Sequence, residues 1–187
     1  MKFIVIDGLD ASGKSTQAEL LSSFLKKRGQ TVFLQKHPTD DNIFGIKTKH
    51  FLEHKGKSAH LNAALFYMFD VIRSIIIYSW RRFDYIIFVR YLMGTAYLPK
   101  HLDRIAYHFF ATIVPSSSFM FFLDVSPAEA HRRVRLRRKE LEMFETLEEM
   151  QKIRQKALSL ALEDGWIIVD ADRTINKIQE DIQRNII

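Results

Sequence analysis

Apolar residues fall along this chain in two rhythms, short unbroken runs and longer stretches where they return every third or fourth position, and the two alternate. Lys2-Phe3-Ile4-Val5-Ile6 is a β-branched and aromatic run that predicts a strand. Ala18, Leu21, Phe24 and Leu25 then mark one face of a helix over Gln17–Arg28, ended by the basic turn Lys26-Lys27-Arg28 and by Gly29. Thr31–Gln35 predicts a second strand, which closes on the polar turn-forming stretch 36–42. Residues 43–58 form a basic, moderately apolar connector, read as a short surface helix without chemistry, and His37, His50, His54 and His60 are expected to be solvated rather than metal ligands. From Ala59 to Arg82 the spacing predicts a long helix with apolar positions 61, 65, 69, 72 and 76 as its core stripe. A second line on it, Asn62, Phe66, Asp70 and Arg73, reads in either of two ways: a surface Asp70–Arg73 pair beside a core phenylalanine, or one wall of a pocket. Further strands are expected over Asp84–Tyr91, Phe119–Val125 and Trp166–Val169. Helices are expected to start at Ser126-Pro127-Ala128-Glu129, to run over Thr146–Glu163, and to end the chain with Ile175, Ile178, Ile182 and Ile186 facing inward. Alternating strands and helices define an α/β class with a parallel sheet.

Composition narrows this to one domain, 1–187, because 47% hydrophobic content in 187 residues can bury a large core without a staple. With Cys 0, neither disulfides nor zinc thiolates are possible. No signal peptide precedes the first strand and the apolar runs look too short to cross a bilayer, so a cytoplasmic protein without membrane partners is expected. The net charge of +6 suits a polyanion, either nucleic acid or a small one.

The chemistry concentrates in Asp7-Gly8-Leu9-Asp10-Ala11-Ser12-Gly13-Lys14-Ser15-Thr16, where Gly8-x4-Gly13-Lys14-Ser15 meets each required position of a phosphate-binding P-loop. Gly8 and Gly13 let the backbone curl with N–H groups inward, the helix start adds partial positive charge, and Lys14 adds a full one. ATP with Mg²⁺ is the expected ligand, with Gly8 to Thr16 as the cradle and Ser15 as the metal ligand.

A P-loop of this form, a strand followed by Arg90-Tyr91, nearby Ala96-Tyr97, and Leu123-Asp124-Val125 closing another strand together resemble the thymidylate kinase family over nearly the whole chain. That resemblance implies a three-layer P-loop fold with a five-stranded parallel sheet, transfer of the ATP γ-phosphoryl to dTMP, and a homodimer. It implies that Arg90 holds the acceptor phosphate, Asp10 meets the sugar 3′-hydroxyl, Phe66 stacks on the base, Tyr97 crowds a 2′-hydroxyl and Arg173 edges the adenine site. The sequence departs from the family at Val89, where an aspartate near the magnesium is usual, and at Asp70, where an arginine is usual. Thymine O4 is then left to Arg73, Thr95 or water, and the metal to Ser15, ATP oxygens and waters, with Asp7 or Asp124 acting through water.

Between the two helix starts at 126 and 146, the basic run and the acidic connector after it read as a lid of about 132–145, with a solvated basic face or an RNA contact as the other reading. The resemblance implies catalytic arginines in a lid, for which Arg133 and Arg137, one turn apart, are the candidates. No aromatics interleave with its arginines, which argues against a single-strand stacking platform. Two other readings stay open here: a P-loop kinase for another small acceptor, and a nucleotide-dependent ATPase that binds nucleic acid.

Overall fold

The computed structural model describes residues 1–54, 56–78, 80–117, 119–137 and 146–186. In chain order the elements are β1 (Lys2–Gly8), α1 (Lys14–Lys27), β2 (Val32–Lys36), α2 (Ile43–Leu52), α3 (Lys57–Tyr78), β3 (Tyr85–Val89), a 3-10 turn (Met93–Tyr97), α4 (Leu102–Ile113), β4 (Phe119–Asp124), α5 (Pro127–Arg137), α6 (Leu147–Glu163), β5 (Ile167–Asp170) and α7 (Ile175–Ile186). The strands form one parallel sheet in the order β2-β3-β1-β4-β5. β1 is central, with Ile6 level with Val89 on one side and Phe121 on the other. Its Ile4, Val5 and Ile6 are all 0% exposed, which explains an unbroken apolar run instead of an alternation. Helices α1 and α7 pack together on one face, and α4 and α6 meet around the 3-10 turn on the other, giving the expected three layers. Because every strand points the same way, the P-loop and the ends of β2, β3 and β4 share one rim of the sheet.

The long helix departs from the expected pattern. Leu61, Leu65, Phe69 and Ile76 of α3 are exposed, with Ile72 half-buried, whereas Ala59, Ala63, Tyr67, Asp70, Val71 and Ser74 face the interior. The apolar stripe counted as core is therefore the solvent face, and the small and polar residues are the ones turned inward where α3 packs against α2 and the 3-10 turn. The same helix, Ser58–Tyr78, is also apolar enough by length and composition to cross a bilayer, at mean hydropathy 1.4, so apolar runs are not all strand-length. Helix α4 was not legible as an element; its buried face holds Asp103, Tyr107 and Phe110 while Ile105, Phe109 and Ile113 are exposed. In α7, Ile178, Ile182 and Ile186 are buried as expected but Ile175 is exposed. Both capping starts are present: Ser126 Oγ accepts from the Glu129 N–H at 3.4 Å and Thr146 Oγ1 from the Glu149 N–H at 3.3 Å.

Candidate active site

The donor half follows from backbone geometry. Gly8 sits at φ +144, where a side chain is strained, and a Cβ there would lie 2.5 Å from the Leu123 carbonyl oxygen, so only glycine lets the loop leave β1 against β4. Gly13, at φ 94, caps α1 with no side-chain hydrogen bond, which leaves first-turn N–H groups to serve an anion. Lys14 is 4% exposed and folds back over the loop, donating to the carbonyls of Gly8 at 2.9 Å and Leu9. Ser12 Oγ is buried with no protein partner among the described residues, while Ser15 is exposed on the first turn of α1. A buried hydroxyl without a protein partner, just before the uncapped start of α1, suits a phosphate oxygen.

Facing it, Arg90 leaves β3 at φ 64, a left-handed conformation that costs a non-glycine residue about 1 kcal/mol or more. Its guanidinium ion-pairs with Asp10 and donates to the His37 carbonyl at 3.3 Å. Tyr97 donates to the other Asp10 oxygen at 3.2 Å, and Lys14 Nζ stands 3.8 Å from Asp10. Four predicted site residues, Asp10, Lys14, Arg90 and Tyr97, thus meet at one carboxylate. Burial alone would raise the Asp10 carboxyl, but Arg90 and Lys14 outweigh it and hold it well below the usual carboxylate range. The Asp10 charge in turn pushes Arg90 up against its own desolvation.

Other expected roles are reassigned by contact. The Asp7 oxygens accept from the N–H groups of Gly8 at 2.9 Å, Tyr91 at 2.7 Å and Met93 at 3.2 Å, so it ties the P-loop to the end of β3. Burial pushes its pKa up, against the pull of Lys14 and those N–H groups. Asp124 is held by Arg154 in a bidentate pair at 2.6 and 2.8 Å. Val89 is 1% exposed, so an aspartate there would be a buried charge. Asp70, 0% exposed, neither pairs with Arg73 nor faces a ligand; it accepts from Thr39 N and Oγ1 and from Asn42 Nδ2, each at 2.7 Å. Gly45 permits this, because a Cβ there would lie 2.1 Å from Thr39 O. Arg73 instead meets Asp41 at 3.5 Å. Thr95, 4% exposed, gives its only hydroxyl proton to Leu92 O at 2.8 Å. Phe66 is half-buried, stacked on Phe51 at 5.6 Å and 13° with Lys47 4.9 Å from the ring centre.

His37, read as solvated, is 1% exposed and is the site residue that sequence reasoning missed. Its ring contacts Arg90 O at 3.2 Å and Ser74 Oγ at 2.9 Å, and burial drives its pKa down to about 4 despite Asp70 nearby, so it is neutral. The one available signal was its position at the carboxyl end of a strand.

At the far end of the loop, Arg133 bonds Glu129 at 2.7 Å and reaches the carbonyls of Ala11 at 3.3 Å and Ala171 at 3.0 Å, bridging the P-loop to the end of β5. Arg173 is engaged with Asp181 of α7 and, at 3.4 Å, with Asp170 O. The Arg137 side chain and lid residues 138–145 lie outside the described residues.

A P-loop on the central strand, whose Asp10 pairs with an arginine at the end of the adjacent strand, defines a P-loop phosphotransferase of the nucleoside-monophosphate kinase type. The thymidylate kinase family model matches residues 6–182. The chain belongs to that family, whose reaction is the phosphorylation of dTMP by ATP. It is 30% identical to a probable thymidylate kinase of Metallosphaera sedula, covering 95% of this chain and 88% of that protein. A thymidylate kinase of Plasmodium falciparum is 29% identical over 99% of this chain and 89% of its own length. The thymidylate kinase of Candida albicans has the same fold, with TM-score 0.72 at 23% identity over 99% of this chain and 90% of that one.

Proposed function

We propose that dTMP is phosphorylated in the gap between Lys14 and Arg90, and the observation that carries this is the cluster of Arg90, Tyr97 and Lys14 around Asp10. Lys14 and the loop N–H groups hold the β- and γ-phosphates; Arg90 draws the acceptor phosphate into line, and Asp10 takes the sugar 3′-hydroxyl beside Tyr97. The reaction needs position and charge neutralisation more than covalent chemistry. Arg133 belongs with the base end of ATP on this reading, and Arg137 with the moving phosphoryl group. Phe66 offers its ring to the thymine, with Arg73 as the side chain left to meet the base edge, since the Thr95 proton is spent on Leu92.

Mg²⁺ fits the donor half through the exposed Ser15 hydroxyl alone, because Asp7, Asp10 and Asp124 are each taken by protein donors. It would neutralise charge between the β- and γ-phosphates when bound. The exposed stripe Leu61, Leu65, Phe69 and Ile76 supports a homodimer, since a second copy would cover an apolar face that few monomers leave open. A single Leu65→Glu substitution is expected to yield monomers in sedimentation; an unchanged oligomer would remove this face from the interface. The cysteine-free sequence accords with a cytoplasmic enzyme.

The test is ADP formation over a panel of ribo- and deoxynucleoside monophosphates. dTMP should rank first and dUMP second, and Asp70, committed to Thr39 and Asn42, cannot favour an exocyclic amine. A lead for dCMP or a purine, or ATP hydrolysis without an acceptor, would overturn it.

A further inference from the structure

We propose that His37 is the positioning residue for Arg90, so that a buried histidine, anchored to α3, sets the acceptor end of the reaction. The inference rests on the reading of Arg90 as the holder of the acceptor phosphate.

Arg90 stands in a left-handed conformation at φ 64 that local preference does not favour, so its neighbours must impose it. Its N–H is used by Ile6 O at 3.1 Å. Its carbonyl and its guanidinium both go to His37: the ring Nδ1 lies 3.2 Å from Arg90 O, and the guanidinium donates to His37 O at 3.3 Å. One residue therefore grips Arg90 at backbone and side chain together. Since a carbonyl only accepts, Nδ1 carries the ring proton, and Nε2 accepts the Ser74 hydroxyl at 2.9 Å.

His37 is itself fixed on every side. Its N–H bonds Val89 O at 3.0 Å, and its ring meets Phe88 at 5.0 Å and Tyr67 at 6.5 Å, both edge-on. Ser74 is 0% exposed, and one turn earlier Asp70 clamps Thr39 and Asn42 on the same connection. Helix α3 thus holds the segment after β2 at two points, and that segment holds Arg90. Such a chain explains why α3 buries an aspartate and a serine on the face that packs inward.

Steady-state kinetics of His37→Asn, His37→Gln and His37→Ala read this directly. The asparagine amide matches Nδ1 and can still donate to Arg90 O; the glutamine amide reaches the Nε2 position and cannot. His37→Ala and His37→Gln should lower kcat/KM for dTMP by about tenfold to a hundredfold, as for a misplacement of about 1 Å, with KM for ATP within about twofold. His37→Asn should stay within about threefold of the native enzyme in both. If His37→Ala does not fold, Ser74→Ala, which frees the ring from α3, should still lower kcat/KM for dTMP severalfold. Equal losses for asparagine and glutamine, a parallel rise in KM for ATP, or native kinetics in the alanine or Ser74→Ala variant would overturn the proposal. Arg90→Ala separates the two layers: intact dTMP kinetics there sinks the reading of Arg90, whereas a large loss there with native His37→Ala kinetics sinks the role of His37 alone.

Discussion

The donor half of the site draws most of its groups from one stretch, Gly8 to Thr16, with Arg133 reaching it from α5, and works largely through backbone N–H groups, with Lys14 as the main side chain. The acceptor half collects Asp10, His37, Asp70, Ser74, Arg90 and Tyr97 from separate segments and works through side chains that hold one another. A loop of main-chain donors tolerates most substitutions that keep its turn. A net of side chains transmits damage, because each member fixes the next. Donor variants should therefore alter ATP parameters whatever the acceptor, and acceptor variants should alter dTMP parameters alone.

Lys14→Ala should have the largest effect, a fall in kcat of about a thousandfold or more with the melting temperature little changed, since one charge at the phosphates is lost and no apolar packing goes with it. Turnover near native would remove the P-loop from the chemistry and erase the contrast between the halves. Next, Arg133→Ala should raise KM for ATP by about tenfold and leave KM for dTMP alone, because Arg133 bridges Ala11 and Ala171 on the donor side. Arg137→Ala should lower kcat instead. If both arginines change kcat equally, they act as one lid unit and Arg133 is not a donor-side anchor.

The smallest effect is on stability. His37 is held near 4 in the folded state against 6.5 for an ordinary histidine, so folding excludes a proton that the unfolded chain accepts. The stability that goes with the neutral ring is complete above about pH 6.5 and is lost as pH falls toward 4, at up to about 1.4 kcal/mol per pH unit for one proton. Urea unfolding at several pH values should show this slope in the native protein and lack it in His37→Asn. Identical slopes would mean that the ring is not held neutral.

Much of the fold was legible. The five strands and the helices α1, α2, α3, α6 and α7 fall where period and capping signals put them, to within a few residues. Helix α4 was missed because its buried face carries Asp103 beside Tyr107 and Phe110. In α3 the period was right and the orientation was inverted. Hydrophobic counting assumes that the apolar side faces the core, and there a close-packed interior takes alanines, Asp70 and Ser74 while the larger apolar residues stay outside.

What the sequence determined by itself is the phosphate loop, because its function needs glycines, a lysine and a helix start in consecutive order and nothing from elsewhere in the chain. The parallel sheet follows from the alternation of strand and helix, a local property too. What only the tertiary structure decided is the state of each polar side chain around that loop. Asp7 and Asp124 became internal fasteners, and Asp70 became an anchor for Thr39 and not a base contact. His37 and Arg90, far apart in sequence, became a single unit at 3.2 Å. The physical reason is that a buried polar group must find a partner, and that partner is supplied by whatever strand or helix packs alongside, which no spacing within one segment can specify.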